Sequence, residues 1–127
     1  MEDRRRAGLW LALAGLNGAA GVVAGALGAH DVPPETQRLV ETGAHFQLLH
    51  ALALVGVALA MRTRGGRFVE WSGWAFLLGC LLFSGGLYLL AAGIGRAGIL
   101  IPFGGIAFIV GWLLLAAAGL RDWRRPA

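Results

Sequence analysis

The chain has 127 residues, 57% of them hydrophobic and 14% charged, with a mean hydropathy of +0.69. Globular domains are about 45–50% apolar and about 25% charged, so these values exclude a disordered chain and leave a soluble domain too few polar residues to cover its surface. The single cysteine, Cys80, excludes a disulfide scaffold, and the 11 basic residues, all arginine, against 7 acids give a net charge of +4.

The apolar residues fall into four runs, each near the roughly 20 residues needed to cross a hydrocarbon core. Gly8–Ala29 is the first, 22 residues without charge and with one strongly polar group, Asn17. Its ending Ala24-Gly25-Ala26 resembles a leader cleavage site, but the run exceeds the about 7–15 apolar residues of a secretory leader, and a retained span is expected. Gly18, Gly21, Gly25 and Gly28 form a smooth stripe containing a GxxxG element. Such a stripe serves either close helix packing within one bundle or a homodimer face. The second run is Gly43–Met61, free of Asp, Glu and Arg, and the third is Trp71–Gly93. The fourth, Ile99–Leu120, has Pro102 in its first turn and Gly104, Ala107 and Gly111 at helical spacing. The runs occupy 86 of the 127 residues and leave connections of 13, 9 and 5 residues, too short for an extramembrane domain.

A barrel strand alternates polar and apolar residues and these runs do not. The expected fold is therefore all-α, an integral membrane four-helix bundle forming one domain over residues 1–127. Nine arginines flank the ends on one side of the bundle (Arg4, Arg5, Arg6, Arg62, Arg64, Arg67, Arg121, Arg124 and Arg125) and only Arg38 and Arg96 lie on the other. The positive-inside rule then places both termini in the cytoplasm. Trp10, Trp71, Trp74 and Trp123 are expected at that interface, with Trp112 deeper. The basic charge thus marks orientation, and nucleic acid is not an expected partner.

Polar groups inside spans are the first functional suspects. They gather in the outer halves: His30, Glu41, His45, Gln47, His50, Ser84 and Tyr88. At about 1.5 Å per residue, His45 shares a level with Tyr88, and His50 shares a deeper one with Ser84. Glu41 and His45 are i, i+4, which predicts a hydrogen bond or ion pair; Gln47 and His50 are i, i+3 neighbours. His45 and His50 are five apart and do not make a local metal site, so no metal is expected. His50 reads either as a core histidine bonded to Ser84, Gln47 or a carbonyl, or as a ligand. Ser84 is expected to bond its own i−4 carbonyl, Tyr88 to anchor at the interface, Asn17 to bond between helices and Cys80 to fill space. No phosphate loop, nucleophile elbow or zincin pattern occurs, and neither a catalytic centre nor a cofactor is expected.

Four stretches carry a family resemblance. Gly25-Ala26-Leu27-Gly28-Ala29-His30 resembles a GAFGAH signature, and Glu41-Thr42-Gly43-Ala44-His45-Phe46-Gln47-Leu48-Leu49-His50-Ala51-Leu52-Ala53-Leu54 resembles a second motif, an aromatic-Gln-x-x-His-Ala-Leu-Ala-Leu stretch. Leu82-Phe83-Ser84-Gly85-Gly86-Leu87-Tyr88 resembles FSGSLY, and Ile101-Pro102-Phe103-Gly104-Gly105 with Gly111-Trp112 a TPIGG…GW ending. The chain is identified as a member of the small membrane-protein family filed as domain of unknown function 423, the YgdD-type proteins with a eukaryotic small transmembrane relative. The departures are Leu27 for Phe, Phe46 for Tyr, Gly86 for Ser and Ile101 for Thr. The resemblance implies a four-helix membrane protein and brings no activity with it.

Three functions compete. The favoured one is a non-catalytic membrane component or accessory subunit, its partners the lipid bilayer and a larger membrane complex or further copies of itself. The alternative is a small transporter or channel with Glu41, His45 and His50 as a proton or ion path. A haem or quinone protein is third, disfavoured because the third and fourth spans contain no histidine to complete a bis-His site.

Overall fold

The computed structural model describes residues 1–127. It has four long helices and no strand: α1 Glu2–His30, α2 Pro34–Thr63, α3 Arg67–Ala91 and α4 Leu100–Trp123. All four are long and apolar enough to cross a membrane. Only 32 of the 127 residues are buried, and Leu16, Leu52, Leu81 and Leu113 stand exposed. So large an apolar exterior suits hydrocarbon as the solvent.

The helices extend well beyond the apolar runs. The expected 13-residue first connection shrinks to Asp31–Pro33. Pro33 is extended (φ −55°, ψ 145°) and Pro34 opens the first turn of α2, where its missing N–H costs nothing. The Pro33 carbonyl accepts from the backbone N–H groups of Thr36 and Gln37 at 3.0 Å each. Residues 35–42, six of them polar, are thereby drawn into the helix rather than left as a loop. The α2–α3 turn is equally tight, because Gly65 (φ 63°) and Gly66 (φ 106°) take backbone conformations that side chains resist. A 3-10 turn, Gly95–Ile99, leads into α4.

Within α3, residues Cys80–Ser84 form a π turn, and the Gly85 N–H reaches back to the Cys80 carbonyl. Such bulges sit mostly where a helix must adjust to a neighbour. Here the neighbours are α2 and α4. Ser84 donates to the Gly43 carbonyl of α2 at 2.7 Å, and the backbone of Phe83 lies against Gly104 of α4.

Glycines decide the packing. A Cβ on Gly28 would lie 2.7 Å from Val40 Cγ1, and one on Gly21 3.0 Å from Leu48. Gly18 and Gly25 face Ala51 and Ala44 at ordinary contact distance. The α1 stripe thus faces α2 of the same chain, with Gly21 and Gly28 buried and Gly18 and Gly25 half-buried. On the other side Gly79 admits the Phe108 ring, and Gly104 admits Phe83. Gly111 receives Phe76 and Gly43 receives the Tyr88 ring. One apolar cluster, with Trp10, Leu54, Val57, Met61, Val69, Phe76 and Phe108, fills the half of the bundle that carries both termini and its middle. Trp10 is part of that cluster: it is 1% exposed, seated on Gly73 with its ring edge-on to Trp74 at 4.9 Å.

Candidate functional site

The seven polar residues singled out in the sequence do not form one cluster. His30 is exposed at the end of α1, and Glu41 and His45 are exposed on α2. The expected Glu41–His45 pair is not made: Glu41 Oε1 instead accepts from Gln37 Nε2 at 3.1 Å. Extension of α2 toward Pro34 supplies Gln37 one turn before Glu41, a partner that the expected loop concealed.

Gln47 and Tyr88 belong to a polar seam with Asn17 and Cys80. The Tyr88 hydroxyl donates to Gln47 Oε1 at 2.6 Å, and Gln47 Nε2 donates to Asn17 Oδ1 at 3.0 Å. Asn17 Nδ2 in turn donates to Cys80 Sγ at 3.3 Å and toward the Gln47 carbonyl at 3.5 Å. Each side-chain amide acts as acceptor and donor at once, and the seam ties α1, α2 and α3 together. Tyr88 is thus an interhelical partner rather than an interface anchor, its ring held over Gly43. Cys80 is an acceptor as well as a filler. Its place in the π turn turns the sulfur toward α1, a feature invisible in linear spacing.

His50 faces the other way, into an aromatic box. Trp112 Nε1 donates to His50 Nε2 at 3.1 Å, so the proton sits on Nδ1, which donates to the Phe46 carbonyl at 2.7 Å. The imidazole stacks on Phe108 with centroids 3.6 Å apart and lies 5.4 Å from Phe76. Both ring nitrogens are occupied, which favours the core-histidine reading over a ligand. Neither Ser84 nor Gln47 is its partner, despite the shared level. Ser84 also departs from expectation: its hydroxyl bonds Gly43 on α2 instead of its own i−4 carbonyl, which the π turn has assigned to Gly85. The box needed Trp112, whose indole N–H deep in an apolar span was the available clue.

Beside the seam lies a recess of about 870 Å³ between α1 and α3, with Ala20, Val23, Ala24 and Leu27 on one wall and Leu81 and Leu89 on the other. α1 and α3 touch at Trp10–Trp74 and at Asn17–Cys80. Asn17, Gln47, Cys80 and Tyr88 of the seam line the recess as well. No group of three or more His, Cys, Asp or Glu side chains is placed to hold a metal ion.

Residues 24–105 match the family model described as Protein of unknown function (DUF423). The chain belongs to this family. The UPF0382 inner membrane protein YgdD of Escherichia coli K12 is 38% identical over 121 residues, spanning 91% of this chain and 92% of its own length. The UPF0382 membrane protein YwdK of Bacillus subtilis 168 is 34% identical over 119 residues, 89% and 97% of the two chains. A UPF0382 membrane protein of Staphylococcus epidermidis is 35% identical over 118 residues, 89% and 96%. No solved structure matches the chain. It is a small multi-pass membrane protein of a family with no activity attached. Two of its departures from the family motifs meet in space: a Cβ on Gly86 would lie 3.0 Å from Ile101 Cγ1. A small residue and a large one here replace the Ser and Thr that the resemblance implies.

Proposed function

We propose that the protein is a non-catalytic membrane component. It resides in the bacterial inner membrane with both termini in the cytoplasm and packs as an accessory piece beside larger membrane proteins. The carrying observation is how the polar interior is used. His50, Gln47, Asn17, Tyr88 and Ser84 all spend their hydrogen bonds joining helices or bonding within α2. No side-chain nitrogen or oxygen that is fully buried lacks a partner. Groups committed in this way hold helices together rather than turn over a substrate. The ion-path reading needs Glu41, His45 and His50 in line. Glu41 and His45 are exposed while His50 is 4% exposed inside the aromatic box, so no observation favours it.

The test is purification of the tagged chain from its native membrane in mild detergent, followed by mass spectrometry. A partner in fixed stoichiometry is the expected outcome. A lone particle, from cells that also show no change on deletion, overturns the proposal.

A further inference from the structure

At the end of the bundle carrying both termini, a pocket of about 530 Å³ lies between the α2–α3 turn and the last turn of α4. That volume is within the range of small-ligand sites, about 300–1,000 Å³. Four arginines line it, Arg64, Arg67, Arg121 and Arg125, against one carboxylate, Asp122. Arg64 is committed: it pairs with Asp122 through Nε and donates to the Ala118 carbonyl at 3.1 Å. Arg125 approaches Asp122 only at 3.8 Å. Arg67 and Arg121 make no ion pair. Their guanidinium groups instead lie over aromatic rings, Arg67 5.8 Å from the Trp71 centroid and Arg121 5.2 Å from that of Phe68. Cation–π contacts of this kind hold a charge in place without neutralising it.

Arginines flanking spans set orientation, but that role needs no convergence. Here residues more than fifty positions apart meet round one pocket, with four guanidinium charges sharing a single carboxylate and two of them, Arg67 and Arg121, in no ion pair. Trp71 and Phe68 border it, and tryptophan beside arginine is the side-chain pattern favoured at the level of the lipid headgroups. We propose that this pocket binds a phosphate-bearing anion, namely the headgroup of an anionic phospholipid such as phosphatidylglycerol. Arg67, Arg121 and Arg125 receive the phosphate oxygens, and the acyl chains lie along the neighbouring apolar surface. Guanidinium suits the task because its forked donors match phosphate oxygens.

The experiment is native mass spectrometry of the intact purified chain titrated with phosphatidylglycerol, phosphatidylcholine or inorganic phosphate. The comparison is between wild type, Arg67→Gln/Arg121→Gln, and the control Arg4→Gln/Arg5→Gln, which removes equal charge from α1 at the same end. With two basic contacts to the anionic headgroup lost, the pocket variant should bind phosphatidylglycerol at least about tenfold more weakly, and the control within about twofold. Phosphatidylcholine should bind weakly to all three, and millimolar phosphate should leave bound phosphatidylglycerol in place. The Arg67 and Arg121 side chains make no hydrogen bond and no ion pair within the protein, so helicity should persist. If the double variant does not fold, Arg121→Gln alone should lose about fivefold. Equal loss in pocket and control variants, equal binding of the two lipids, or displacement by phosphate overturns the proposal.

Discussion

His50 shows how one residue's role depends on atoms far along the chain. Its Nε2 accepts from Trp112, 62 positions away, and its ring lies flat on Phe108. His50→Phe keeps the stacking surface but leaves the Trp112 N–H without an acceptor, a loss of about 1–3 kcal/mol. His50→Ala also opens a cavity and should cost about 2–5 kcal/mol. Denaturant unfolding in detergent micelles checks the order, wild type above Phe above Ala; an Ala variant as stable as wild type would remove the box from the list of stabilising features. The sequence singled out His50 but not its partner. Periodicity places residues on one helix face, whereas the pairing depends on which face of α4 turns inward.

Among the elements, α3 is the one that departs from regularity, and the helices beside it pack through glycine. Gly104→Ala would drive a methyl into the Phe83 backbone, which no side-chain rotation relieves. It should cost roughly 1–3 kcal/mol, while Gly119→Ala, which meets nothing within 4 Å, should be neutral or slightly stabilising. Thermal melts of the two variants give the comparison. The Gly86 and Ile101 contact makes a related prediction. Gly86→Ser alone should destabilise by overpacking, and Ile101→Thr should recover part of the loss by making room, so the pair should be non-additive by about 0.5 kcal/mol or more. A double-mutant cycle that sums within error would show that the contact carries no coupling. The smooth stripe on α1 was legible in the sequence, and in the structure its glycines face Ala51, Leu48, Ala44 and Val40 of α2. The π turn was not legible, because no residue type announces it. It arises where Ser84 and Phe83 meet two neighbouring helices at once.

For the molecule as a whole, four spans return both termini to the end where Arg6 bridges Glu70 and Arg64 bridges Asp122. Fluorescent-protein fusions at either terminus should therefore glow in a bacterial cytoplasm, and alkaline phosphatase inserted at the α3–α4 turn should be active. The reverse result overturns the orientation drawn from arginine counting. The Arg64–Asp122 pair also closes this end of the bundle by joining the ends of α2 and α4. The Arg64 guanidinium holds the Asp122 carboxyl below the usual carboxylate range. A carboxyl lowered on folding contributes stability that is fully present above its unfolded value of about 3.9 and is lost as pH falls through the lowered one. Acid titration of wild type against Asp122→Asn should thus show the two converging at low pH; a constant gap down to acid would show that the charge of Asp122 is not what the variant removes.

The amino-acid sequence by itself determined the class, the number of spans and the stripes of small residues. Those properties rest on hydrophobic run length and on steric bulk, both local quantities. The tertiary structure alone decided which polar groups meet. It divided a single apparent cluster into an exposed rim, a seam through Asn17, Gln47, Tyr88 and Cys80, and an aromatic box around His50. It also gathered arginines from two distant segments round one pocket. In hydrocarbon every buried polar group must find its partner inside the protein, and which partner is within reach depends on helix rotation and crossing, set by side-chain packing across the whole bundle.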